Sequence, residues 1–324
     1  MFYIFYQYKA VVFHIIYVET DGGPYLDASS NFHNLDKIIA MLRVLNQASR
    51  KLPCCFSRSF STTTSTWYQY VDVQESQEAG YSILNMKRAP VNSFNLEFIG
   101  ELIGALDEIE RNPSSRGLVL TSPLKVFSAG LDITEMHNPT QDRLHEFWGA
   151  FQELNLRLHS TPLATIAAIN GPSPAGGCAL ALQCDYRIMA DGRSMIGLNE
   201  TLLGLTAPLW LCRAFAQVIG HRQAELHLSL GTLLPPQHAL DIGLVDALVP
   251  AADLMSTADV EMKKWLAIPE LGRTRTKALL RKEYIDDFVS KRDEDMQMFT
   301  AAVNDPNLQA LLTKYLMALQ KKSK

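Results

Sequence analysis

The chain has 324 residues, 47% of them hydrophobic, enough to bury either one elaborated core or two smaller ones. Lys and Arg number 30 against 34 Asp and Glu, a net charge of −4, and no basic stripe stands out, so composition argues against a nucleic-acid partner. The five cysteines, Cys54, Cys55, Cys178, Cys184 and Cys212, form no C-x-x-C pair, which argues against a zinc ribbon or a disulfide framework and favours a reducing compartment.

The chain opens on an aromatic-rich run, MFYIFYQYKAVVFHIIYV, interrupted by Gln7, Lys9 and His14. It falls short of the apolar stretch of about 20 residues that an integral membrane span needs. Residues 41–65, MLRVLNQASRKLPCCFSRSFSTTTS, carry Arg43, Arg50, Lys51 and Arg58, many hydroxyls and no acid, the composition of a mitochondrial import peptide. Such peptides act at an N-terminus, so residues 1–40 read as a non-native or alternative extension, residues 41–66 as a transit peptide, and the mitochondrial matrix as the destination. A disordered polar linker is the alternative. The C-terminal Lys-Lys-Ser-Lys is not a peroxisomal Ser-Lys-Leu address.

From about residue 68 the pattern predicts α/β layering. Strands are expected at Tyr70 to Gln74, Tyr81 to Met86, Gly117 to Thr121, Leu163 to Ile169 and Tyr186 to Met189, each short and rich in β-branched or aromatic residues. In NLEFIGELIGALDEIERN, the set Leu96, Ile99, Leu102, Ile103, Leu106 and Ile109 recurs at helical spacing, and residues 143–159 behave similarly. Beyond about 251 only amphipathic helices follow. The last carries an apolar face of Leu308, Leu311, Leu312, Tyr315, Leu316 and Leu319, expected to pack on the core.

Two loops place small residues where a strand should give way to a helix: Val126 to Asp132, and Asn170 to Gly177. Small residues let a ligand approach the main chain, and N–H groups at a helix start are unpaired donors for an oxyanion. A P-loop is excluded because Gly177 and Cys178 stand where Lys and Ser/Thr belong, and no G-x-G-x-x-G follows a strand. In Met195 to Leu205 a single carboxylate, Glu200, lies in an apolar run; burial would raise its pKa toward the range of a general base, whereas exposure would make it an ordinary helix-start acid. Asp132 and Glu135 read as charges on a first helical turn, and Asp185 as a turn-ordering residue. No H-x-x-x-H pair suggests a metal.

Taken together, FSAGLDITEM (127–136), AINGPSPAGGCALALQCDYRIMA (168–190) and GLNETLLG (197–204), in this order, resemble the motifs of the crotonase, or enoyl-CoA hydratase/isomerase, superfamily. The resemblance spans roughly residues 70–320. It implies a crotonase-like spiral of strand-strand-helix repeats: a catalytic core over 67–250, and a C-terminal helical oligomerisation region over 251–324 that usually builds trimers. It also implies fatty enoyl-CoA thioesters as partners, coenzyme A as part of the substrate, and no separate cofactor.

Position by position, the resemblance makes Leu131 and Gly176 the backbone N–H donors of an oxyanion hole for the thioester carbonyl. It assigns Ala129, Gly130, Asp132 and Ile133 to the acyl-CoA-binding loop, Asn199 to the substrate side of the base, and Glu200 to the catalytic glutamate. Hydratases of the superfamily carry a second glutamate where this chain has Ala179. Adding water asks for two carboxylates, while moving a proton between carbons asks for one. The expected activity is therefore transfer of the double bond of a 3-enoyl-CoA, cis or trans, to trans-2-enoyl-CoA in β-oxidation. Many relatives place a basic residue within Ile133-Thr134-Glu135 to meet the CoA phosphates; here the position offers Thr134, with Lys125 or the C-terminal helices as other sources. The alternatives are a hydratase, a dienoyl-CoA isomerase, or a non-catalytic crotonase-fold binding subunit, including one that binds RNA.

Overall fold

The computed structural model describes residues 68–76 and 80–322, with side chains to 318. The expected extension (1–40) and import peptide (41–66) lie outside the described residues. The first strands are β1 (Val71–Ser76) and β2 (Tyr81–Met86), followed by α1 (Leu96–Arg111), β3 (Gly117–Thr121), α2 (Gln141–Ser160) and β4 (Ala164–Ile169). Next come the short β5 (Ser173–Pro174), α3 (Gly176–Leu182), β6 (Tyr186–Ala190) and β7 (Ile196–Gly197). Helices α4 (Leu209–Ile219), α5 (His221–Leu230) and α6 (Pro236–Asp241) precede the last strand, β8 (Ala247–Val249). The remainder is helical: α7 (Leu254–Ala267), α8 (Glu270–Ser290), α9 (Arg292–Val303) and α10 (Pro306–Lys322).

Six strands form one sheet in the order β1-β2-β3-β4-β6-β8. Only β1 and β2 pair antiparallel; the later pairs are parallel, each crossover carrying helix. Both faces are covered, so β3 and β4 are buried along their whole length and read as continuous apolar runs. The period of two divides their side chains: Leu118, Leu120, Ala167 and Ile169 join the core with α1 and α2, while Val119, Ile166 and Ala168 pack with Leu254, Ala258 and Met262 of α7.

Helix α1 shows how the sequence directs an element. Asn95 accepts the Phe98 N–H at 3.1 Å as an N-cap, and Phe98, Ile99, Leu102, Ala105, Leu106 and Ile109 form its buried stripe. Each larger side chain in that stripe contributes about 1.5–3 kcal/mol by burial.

Three local expectations change. Asp185 is not merely a turn residue: its carboxylate accepts the Thr165 N–H at 2.9 Å and pairs with Lys277 at 2.9 Å and Arg281 at 2.8 Å, one turn apart on α8, tying that helix to the β4–β6 edge. Glu135 is buried, taking the Leu96 N–H at 3.1 Å and the Arg143 guanidinium at 2.6 Å, so it joins the α1 start to α2. On α10, Leu308 and Leu312 are buried while Leu311 and Tyr315 are exposed, because the helix docks along a stripe narrower than its apolar face.

Candidate active site

The loops after β3 and β4 emerge at the same, carboxyl, edge of the parallel sheet, where open α/β sheets form their crevices. They are bonded to each other: the N–H groups of Phe127 and Ser128 donate to the Pro172 carbonyl at 3.1 and 3.3 Å. The first loop spends its other donors in order. Ala129 N–H goes to the Val91 carbonyl (2.9 Å), Gly130 N–H to Ser128 Oγ (3.1 Å) and Asp132 N–H to the Phe94 carbonyl (2.9 Å). The Leu131 N–H between them has no acceptor among the described residues. A parallel bridge to Phe94, which uses the Gly130 carbonyl and the Asp132 N–H, turns it the other way.

The second donor, the Gly176 N–H, opens α3, where no intrahelical partner exists. It is aimed by a strained neighbour: Ala175 has φ +49° and ψ −119°, a conformation that costs of order 1–3 kcal/mol and persists where its surroundings impose it. What imposes it is the Ala175 N–H, which bonds the Gly197 carbonyl at 2.8 Å. The loops also touch at Gly130, φ +89°, where a Cβ would lie 3.0 Å from both the Gly176 nitrogen and the Ala175 Cβ. Glycine is needed there for its backbone angle and for the close approach.

Glu200 begins a one-turn 3-10 helix, Glu200–Leu203. Three residues upstream, β7 pairs with β5, adding a Ser173 N–H to Met195 carbonyl bond of 2.9 Å to the Ala175 bond above. The segment carrying Glu200 is thus tied directly to the loop carrying Gly176. Behind it, Ile196 and Leu234 exchange both backbone bonds, at 3.0 and 2.8 Å. The Glu200 Oε2 is buried without a protein hydrogen-bond partner, and burial pushes the carboxyl up to about 7 despite the backbone bond it accepts. Burial, together with the Glu200 charge, also pushes the nearby Cys212 thiol up to about 11, which keeps it a thiol.

Leu131, Gly176 and Glu200 line one cavity of about 530 Å³. The other residues expected at the site, Ala129, Gly130, Asp132, Ile133 and Asn199, are not among those that line it. Ala129 is exposed, Gly130 lies between the loops, and Asn199 precedes Glu200 at the 3-10 helix start. Asp132 pairs with Arg88 at 2.9 Å and caps the 3-10 turn Ile133–Glu135, while Thr134 donates its hydroxyl to Asp132 at 2.7 Å. Ala179, one turn into α3, is wholly buried and not on the cavity wall.

The walls themselves had no sequence signal. Trp148 and Phe151 come from α2, Leu211 and Cys212 from α4, and Met298 and Phe299 from α9. They meet only through tertiary packing. The arrangement sets a carboxyl poised near neutrality, two residues with unspent N–H groups and apolar walls around one chamber, a set that suits removing a proton next to a carbonyl and holding the resulting enolate.

Comparison with known proteins bears on the fold and the family. The family model described as enoyl-CoA hydratase/isomerase matches residues 76–322. The chain is 46% identical to enoyl-CoA delta isomerase 1, mitochondrial, of Rattus norvegicus over 252 residues, covering 77% of this chain and 87% of the relative. It is 46% identical to the Homo sapiens protein of the same name over 254 residues, 78% of this chain and 84% of that one. The crystal structure of human mitochondrial delta3-delta2-enoyl-CoA isomerase superposes with a TM-score of 0.77 at 45% identity, covering 79% of this chain and all of that one. An enoyl-CoA hydratase from Bacillus halodurans, 20% identical with a TM-score of 0.70 over 76% of this chain and 99% of its own, shares the fold. The chain belongs to the enoyl-CoA hydratase/isomerase family.

Proposed function

We propose that this protein is an enoyl-CoA isomerase that moves the double bond of a cis- or trans-3-enoyl-CoA to give trans-2-enoyl-CoA, with Glu200 as its single acid–base group. The observation that carries the reading is the meeting of the buried Glu200 carboxylate with the Leu131 and Gly176 loops in one chamber. The carboxylate removes a proton from C2. The electrons move into a dienolate whose negative charge rests on the thioester oxygen, where the two N–H groups receive it. Glu200, now protonated, returns the proton to C4, and the double bond settles between C2 and C3. Atoms and charge balance without a metal or redox group, and coenzyme A enters as part of the substrate. Alanine at position 179 supplies no second carboxylate from α3, which supports isomerisation over hydration; the other carboxylates on the chamber wall are Glu294 and Asp295 of α9, and Asp295 is already bonded to Trp148, Trp210 and Gln152.

The relatives named mitochondrial support a mitochondrial location, with the matrix as the compartment that suits β-oxidation. Self-association, expected as a homotrimer from the family resemblance, is consistent with apolar side chains left outside on α7 and α8, among them Val260, Leu271, Leu279 and Leu280, each more than half exposed. Among the described residues no helix is long and apolar enough to cross a membrane.

The test is conversion of trans-3-hexenoyl-CoA, followed optically and by mass, with the parent and Glu200→Gln side by side. Conjugation at unchanged mass, lost in the variant, is the expected result. Gain of water would instead mean hydration, and binding without turnover would move the assignment to a binding subunit.

A further inference from the structure

Helix α9 forms one wall of the chamber, and one carboxylate oxygen gathers three of the side-chain bonds that hold it there. Trp148 on α2 and Trp210 on α4 are each only 3% exposed, and each has one polar atom to satisfy. Both indole N–H groups donate to Asp295 Oδ2, at 2.9 and 3.2 Å. The Gln152 amide donates to the same oxygen at 2.7 Å and to the Arg292 carbonyl at 3.1 Å. Beside it the Arg292 guanidinium reaches Glu153 at 2.8 Å and the Gly149 carbonyl at 3.3 Å. The Trp148 ring then lies flat on Phe299, centroids 3.7 Å apart and planes 8° from parallel. Trp148, Asp295, Met298, Phe299 and Ala302 all line the chamber that holds Glu200.

The chamber therefore has two parts of different make. The oxyanion donors and the base come from the loops after β3 and β4 and from the β7 segment; Asp295 bonds to none of them. The hydrocarbon wall comes from α9 and its stacked rings. Removing the Asp295 carboxylate would leave two buried indole N–H groups and an amide without their acceptor, a penalty relieved by moving α9 away.

We propose that Asp295 is a positioning residue for acyl-chain selection: by gathering Trp148, Trp210 and Gln152 it fixes α9 as the wall against which the acyl tail packs, so chain-length preference depends on it while proton transfer does not. The proposal rests on the isomerase reading above and deepens it. Each methylene buried against a fixed wall is worth about fourfold in binding. A hexenoyl chain has two carbons past C4 and a dodecenoyl chain has eight, so the loss grows with length.

The experiment measures kcat and KM for trans-3-hexenoyl-CoA and trans-3-dodecenoyl-CoA with the parent, Asp295→Leu and Asp295→Asn. It adds calorimetric Kd values for hexanoyl-CoA and dodecanoyl-CoA. Asp295→Leu is expected to lower kcat/KM for dodecenoyl-CoA by about tenfold or more, through KM, while hexenoyl-CoA stays within about threefold. Asp295→Asn, which keeps an acceptor oxygen, is expected to restore the ratio. Equal losses on both substrates, or an unchanged ratio in Asp295→Leu, overturn the proposal.

Should Asp295→Leu fail to fold, Trp210→Phe, at a position off the chamber wall, removes one of the donors and keeps an aromatic ring. It is expected to shift the ratio in the same direction, and an unchanged ratio there overturns the proposal equally. If the parent binds saturated acyl-CoA without turning over 3-enoyl-CoA, the isomerase reading fails, and the dodecanoyl-to-hexanoyl Kd ratio still decides the role of Asp295.

Discussion

The head of the chamber and its walls are built from different materials. At the head the proposed oxyanion donors are main-chain N–H groups, at Leu131 and Gly176, and their placement comes from a backbone network: the Phe127 and Ser128 bonds to Pro172, the bridge to Phe94, and the β5–β7 pairing. Along the walls the working groups are side chains, Trp148, Phe151, Leu211 and Phe299, placed by packing between helices distant in sequence. The difference teaches where variation is tolerated. A side-chain change at a donor leaves the donor in place, whereas a change at a wall alters the surface that substrate meets.

The largest test of that contrast falls on the one side chain at the head that reacts. Glu200→Gln keeps shape and burial but cannot take a proton, and kcat is expected to fall by about a hundred- to ten-thousand-fold, with acyl-CoA affinity by calorimetry nearly unchanged. Next comes Gly130→Val, in which the added atoms meet the Gly176 nitrogen and Ala175 from a positive φ. Losing the alignment of one donor costs on the order of a hundredfold in kcat. The same measurement on a wall residue such as Leu211→Ala should move KM more than kcat.

A pH profile of kcat/KM sharpens the contrast further. The base must be ionised, and burial holds Glu200 up to about 7, so activity is expected to rise about tenfold per pH unit below that value and level off above it. Stability carries the opposite sign. The folded state holds this proton more tightly than the unfolded chain does, so Glu200 contributes least unfavourably in acid and destabilises progressively as pH rises from the ordinary 4.5 through about 7. Glu200→Gln should therefore melt above the parent at pH 8, with the gap closing near pH 4; a constant gap would mean that the carboxyl is not held up by burial. The smallest effect belongs to Leu131→Ala, where the N–H survives: kcat is expected to stay within about threefold and KM to rise by about the worth of a few lost methyl contacts.

Sequence reasoning reached the parts of the molecule that carry local signals. β2 and β3 match the expected ranges residue for residue, because runs such as GLVLT are apolar throughout and end on small or polar residues. Glu200 was visible as an isolated acid in an apolar run, and the two small-residue loops as candidate donor sites. Missed were β5, β7 and β8, of two, two and three residues, too short for any periodicity to register. That the Leu131 N–H stays unspent between two bonded neighbours follows from bonds to Ser128 and Phe94, which no spacing announces. Asp185 read as a turn residue because its partners, Lys277 and Arg281, lie about ninety positions downstream. The role of Asp295 was invisible for the same reason, its three donors being spread over α2 and α4.

The β5–β7 pairing has a consequence in time as well as in space. Gly176 and Glu200 each follow one strand of the same short ladder within three residues, and the strands are joined by the Ser173 and Ala175 hydrogen bonds. Coupled in this way, the two segments are expected to move together, which would keep the Glu200-to-Gly176 spacing steadier than the position of either segment against the rest of the molecule. The site can drift as a unit while the geometry of the reaction keeps its tolerance.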